Sequence, residues 1–159
     1  NKLKIEKKPN GLPTRMKTII DSNQMEETKQ EHLKIVDNSK KSILARGCDP
    51  ALSLQFSKVV PRLIGNPEYV PTTNDADFIE KLKSREWSVI YFAPGACRFS
   101  AAERHIPGGN SLTEGWTLEQ YRELVHKIQG EKVQFVETPF ESEALGLLKK
   151  ALAKARETN

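Results

Sequence analysis

The chain has 159 residues, 37% of them apolar and 29% charged, with a formal net charge of +4 and two cysteines. A chain of this length can bury a single core without staples, and two cysteines are too few for a disulfide framework. Neither Cys48 nor Cys97 has a second Cys or His at zinc-ligand spacing, and no apolar run approaches the roughly 20 residues that cross a bilayer.

The charge is unevenly placed. Residues 1–46 hold 11 of the 25 Lys and Arg but only 6 of the 21 Asp and Glu, so the basic excess belongs to the N-terminal part. The opening NKLKIEKKPNG lacks the apolar middle of a secretory signal. Low cysteine use fits a reducing interior, either cytoplasmic or an organelle lumen reached after loss of a targeting segment.

Residues 1–14, rich in lysine and broken by Pro9, Gly11 and Pro13, read as a basic arm that buries too little apolar surface to order itself. From Thr14 to about Arg46 the apolar residues Met16, Ile19, Ile20, Leu33, Val36, Ile43 and Leu44 recur at three- and four-residue spacing, which predicts helix. Asp49-Pro50 then sets an N-cap and first helical position, with Leu52, Phe56, Val59 and Val60 on one side and Pro61 as the stop. The expected division is therefore arm 1–14, helical segment 15–64 and a small α/β domain 65–159.

In that third part, Thr73-Asn74-Asp75 caps a helix to about Ser84, and Ser88–Phe92 reads as a strand apolar on both faces. Thr117-Leu118-Glu119-Gln120 is a capping box for a helix reaching Gly130, followed by a strand at Val133–Glu137. Thr138-Pro139-Phe140-Glu141 opens a last helix with Phe140, Ala144, Leu147, Leu148, Ala151 and Ala155 inward. Tyr69–Thr72 is a candidate third strand, confined to an edge by its prolines. The order predicts an α/β fold: a small, mostly parallel sheet with helices on its faces, a βαβ core near 88–157, and an N-terminal helical segment before it.

Ligands of parallel sheets collect beyond the carboxyl ends of the strands, which draws attention to the long loop 94–117 after Phe92. Gly95, Gly108 and Gly109 give it backbone freedom, and Arg98, Arg104 and His105 give it cationic donors for a phosphate or carboxylate. It matches no Walker or dinucleotide fingerprint, so no cofactor is implied. Cys97 reads two ways: a thiol activated by a helix N-terminus with Arg98 and His105 nearby, or a small buried hydrophobe. Glu137 is the one carboxylate that parallel strands would bring to the same edge, and Trp87 and Trp116 bracket the loop.

Tyr91-Phe92-Ala93-Pro94-Gly95-Ala96-Cys97 resembles the first strand and active-site loop of the cysteine-using bacterial glutathione transferases, and more loosely the strand-to-helix loop of thioredoxin-like proteins. The resemblance spans seven residues and lacks the two-cysteine pair of thioredoxins, so no activity is transferred from it.

The leading expectation is a non-catalytic binding or accessory module that holds an anionic small molecule or a partner protein at the glycine-rich loop, with the N-terminal helices as a docking arm. A thiol-dependent transferase or redox enzyme using Cys97 is the first alternative. Nucleic-acid binding by the basic arm is the second, weakened by the absence of any aromatic residue in the first 46 positions.

Overall fold

The structure is a computed structural model that describes residues 36–94 and 108–158. Four strands, β1 (Ser42–Arg46), β2 (Glu68–Thr72), β3 (Val89–Phe92) and β4 (Gln134–Glu137), form one sheet in the order β2-β1-β3-β4. All three pairings are parallel, with Arg46 level with Thr72 on one side and Phe92 on the other, and Phe92 level with Glu137. Every carboxyl end therefore emerges at the same edge. The helices are α1 (Pro50–Leu63), α2 (Asp75–Ser84), α3 (Leu118–Gln129) and α4 (Ala144–Lys154), the last preceded by a 3-10 turn at Glu141–Glu143.

Side-chain alternation along the strands builds two cores. Ile43, Ala45, Val89, Tyr91 and Val136 face α1 and α4, where they meet Val60, Leu148 and Leu152. Leu44, Ile90 and Phe92 face α2 and α3, where they meet Phe78, Leu82, Tyr121 and Val125. The sheet grows outward from β1 in both directions, and right-handed crossovers then put α1 on one face and α2 and α3 on the other. This is the expected α/β class, with one strand more than the candidate three.

The extra strand is β1. Ser42–Arg46 is not the end of a helix but a central strand, buried along its whole length. Residues 36–64 and 65–158 consequently share one sheet, and the chain from Val36 onward forms one compact unit, with no division near residue 65. The arm at 1–14 and the helical pattern from Thr14 through Ile35 lie outside the described residues.

Local chemistry accounts for the helix ends. The Asp49 carboxylate accepts the Ala51 and Leu52 N–H groups at 2.9 and 3.2 Å, Asn74 accepts from Asp77, and Thr117 forms the expected reciprocal box with Gln120. Three details differ from the sequence reading. Helix α1 continues through Pro61 to Leu63, leaving Leu52 and Val59 about half exposed while Val60 is buried. Thr138 caps the short turn through Phe140 N–H at 3.1 Å, so α4 begins only at Ala144 and Phe140 points outward, 62% exposed. Trp87 stands at the amino end of β3, buried with its indole N–H on Lys81 C=O, far from any wall of the loop that leaves the other end.

Candidate functional site

The strand order reverses between β1 and β3, so the first turn after each leaves the sheet toward opposite faces and opens a crevice at their carboxyl ends. On the α1 face this crevice is a cleft of about 500 Å³, counting the part open to solvent. Gly47 and Cys48 border it from the β1–α1 turn, Phe56 from α1, Tyr69 from β2, Pro94 from the end of β3, and Glu141 from the 3-10 turn. A Cβ at Gly47 would lie 2.6 Å from Ser53 Oγ, so glycine keeps this turn close to the start of α1.

One polar group beneath the cleft stands out. The Tyr91 hydroxyl is buried and has no hydrogen-bond partner among the described residues. Burial pushes both the Tyr91 and the Tyr69 phenol above the ordinary phenol range; the Glu141 charge adds to the first, and Tyr91 adds to the second. Both phenols are therefore neutral at physiological pH and able to donate. A buried hydroxyl without a partner costs on the order of 1–3 kcal/mol, a cost that binding of an acceptor would remove.

On the opposite face the same edge is filled by a closed network. The Arg46 Nε–H donates to Asp75 Oδ1 at 2.8 Å, while the Tyr121 hydroxyl and Thr113 Oγ1 donate to Oδ2 at 2.5 and 2.8 Å. Arg46 also donates through Nη1 to Gly47 C=O, and both ends of the ion pair are wholly buried. Burial alone would raise the Asp75 carboxyl, but the Tyr121 hydrogen bond, the Arg46 charge and Thr113 outweigh it and hold the carboxyl below its ordinary value. The guanidinium thereby ties the end of β1, the start of α2 and the turn into α1 together beneath the crevice.

No family model matches the chain, and no curated protein or solved structure is significantly similar to it. The seven-residue likeness to glutathione transferases thus gains no support, and β3 is the third strand of a wholly parallel sheet, whereas those proteins begin with the strand in question.

Of the residues singled out from sequence, Gly95, Cys97, Arg98, Arg104 and His105 lie outside the described residues. Gly108 is at the carboxyl edge: its C=O accepts the Asp75 N–H at 2.6 Å. Its φ is +76° and a Cβ would lie 2.5 Å from Thr73 C=O, so Gly108 serves as a structural anchor for the loop's far end. Gly109 follows it, partly buried. Glu137 is level with Phe92 at this edge, as parallel strands require, and pairs with Arg122 at 3.5 Å. Among the described residues no group of three or more His, Cys, Asp or Glu is placed to hold a metal ion, and no helix is long and apolar enough to cross a membrane.

The Gly47–Asp49 turn and the Arg46–Asp75 pair were missed from sequence. A signal for the turn exists: Ile43-Leu44-Ala45, then glycine, then Asp-Pro, is a strand, a tight turn and a capped helix in succession. The ion pair, 29 residues apart, has none.

Proposed function

We propose that the chain is a non-catalytic binding module whose site is the cleft at the carboxyl ends of β1 and β3. The observation that carries this reading is the cleft's position: it opens where the winding of a parallel sheet reverses, the place where such sheets take their ligands. The unpartnered Tyr91 hydroxyl supports it, since a binding site tolerates polar groups that a sealed core does not.

The wall's chemistry narrows the ligand. Phe56, Tyr69, Leu52 and Pro94 offer an apolar surface, while Asp49 and Glu141 are carboxylates and no cation is among the described lining residues. The first amides of α1 are taken by Asp49 itself, so this helix N-terminus has little left for an anion. A flat apolar molecule with a neutral or positive donor end suits the described wall. An anionic ligand, the expectation drawn from Arg98, Arg104 and His105, would depend on those residues.

Ligand-observed NMR with tryptamine and indole-3-acetate, two probes of like ring and opposite charge, tests both. Tryptamine is expected to bind the more tightly, and Phe56→Ala to weaken it about tenfold by removing the ring's apolar partner. Preference for indole-3-acetate would return the ligand to the anionic class. Failure of both to shift or broaden, or binding indifferent to Phe56→Ala, would remove the cleft from consideration.

A further inference from the structure

The two edges of the sheet differ in what they can accept. At one edge, β2 carries Pro71 inside the strand, which removes an N–H and blocks orderly extension. At the other, β4 is Gln-Phe-Val-Glu, with neither proline nor lysine to discourage pairing. The Gln134 N–H donates inward to Ser88 C=O at 3.1 Å. Alternation along a parallel strand then directs the N–H and C=O groups of Phe135 and Glu137 outward, away from β3.

This edge lies at the bottom of a groove of about 570 Å³, counting its open side. Arg122 of α3 stands on one bank and Leu147, Lys150 and Lys154 of α4 on the other. Arg122 lies over the Phe135 ring at 4.6 Å and holds Glu137, so one of the groove's carboxylates is already neutralised by its own neighbour. Lys150 and Lys154, one turn apart and exposed, leave the groove with an excess of positive charge.

We propose that β4 receives an extended acidic segment of a partner protein as a fifth strand. The outward main-chain groups of Phe135 and Glu137 supply the ladder, Leu147 and the Phe135 ring supply apolar contact, and the cationic banks select Asp or Glu on the incoming chain. Charge argues against the other occupants. Residues 1–35 of this chain carry eight Lys and Arg against five Asp and Glu. A second copy paired through β4 about a twofold axis would bring each copy's lysine bank against a groove of the same sign.

The test is fluorescence anisotropy on the full chain with a labelled heptapeptide alternating glutamate and valine, its lysine-for-glutamate counterpart, and the glutamate peptide N-methylated at alternate amides. The glutamate peptide is expected to bind, with the lysine and N-methylated forms each about tenfold weaker or more, and with affinity falling as salt is raised. The double variant K150E/K154E should reverse the charge preference. Glu137→Pro, which deletes one outward N–H and leaves the β3 pairing intact, should weaken the glutamate peptide about tenfold; if that variant does not fold, the N-methylated peptide and the charge reversal carry the test. Equal binding of the N-methylated peptide, or indifference to K150E/K154E, overturns the proposal. A wild-type dimer in sedimentation that Glu137→Pro dissolves also overturns it, by assigning the edge to a second copy.

Discussion

At the amino edge of the sheet, Gln129 uses both ends of its amide. Its Nε2 donates to the Leu82 and Arg85 carbonyls at 2.7 and 2.8 Å, and its Oε1 accepts from Trp87 N–H and Arg156 Nη2 at 2.9 and 2.8 Å. The tail beyond α4 closes the same edge: Arg156 Nε donates to Trp87 C=O, and Thr158 N–H to Lys40 C=O. At the carboxyl edge the chain does the opposite on one of its two faces. The Arg46–Asp75 network seals the α2 and α3 face, but the α1 face keeps a cleft and an unpartnered phenol. A parallel sheet with one end sealed by its own tail and the other partly open is built to use the open end. The difference lies in where polar groups find partners, since both ends bury large apolar side chains.

The strongest way to break that comparison is to remove Arg46. Arg46→Leu leaves Asp75 buried without its cation and should cost about 3–5 kcal/mol in urea denaturation, enough to unfold a marginal domain. A loss under about 1 kcal/mol would show that water reaches Asp75 and that the network does not seal the edge. The pH dependence has a definite sign. Because the Asp75 carboxyl is held below its ordinary value in the fold, the stability it contributes is full above the unfolded value near 4 and fades as pH falls through the folded one. Asp75→Asn should therefore be less stable at pH 7, while its stability falls less steeply than that of the wild type below about pH 4.

The amino edge should yield less. Gln129→Ala strands the Trp87 N–H and one arm of Arg156, for an expected loss of about 2 kcal/mol, with tryptamine binding at the distant cleft unchanged. Loss of that binding in a variant that still melts cooperatively would mean that the two ends are coupled and that their separation is only geometric.

The parts of this arrangement that rest on neighbouring residues were legible. The Asn74 and Thr117 caps, the apolar run at Val89–Phe92, the strand at Gln134–Glu137 and the edge strand marked by Pro71 are local signals, and each stands where its chemistry puts it. β1 was hidden because Ile43 and Leu44 continue a three- and four-residue spacing from Val36, and because a central strand ending in arginine looks like a solvated helix end. Only the Asp75 carboxylate, brought from another element, makes a buried Arg46 tolerable. Phe140 misled for the same reason in reverse: Thr138 makes the expected cap, but the turn it closes ends before α4 starts. The cleft was placed at the correct edge from the parallel order, yet its β1 wall was not legible without β1.

The smallest expected effect separates use of the open edge from mere imperfection. Two buried side-chain atoms lack a partner among the described residues, Asn38 Oδ1 and the Tyr91 hydroxyl. The Asn38 side chain already donates to Ile64 C=O at 2.7 Å, so its second atom is a modest residue of an otherwise satisfied amide. Tyr91 has no such compensation: it is fully buried in the core, and its phenol, kept neutral by burial, spends its donor on nothing described. Tyr91→Phe should then be neutral or stabilising by up to about 1 kcal/mol, where deleting a satisfied hydroxyl would destabilise by a similar amount. The same substitution should reduce the rise in melting temperature that saturating tryptamine produces, because a bound acceptor is what the hydroxyl awaits. A stabilised variant that retains the full ligand-induced rise would mark the phenol as a packing defect and leave the cleft to its apolar wall and carboxylates alone.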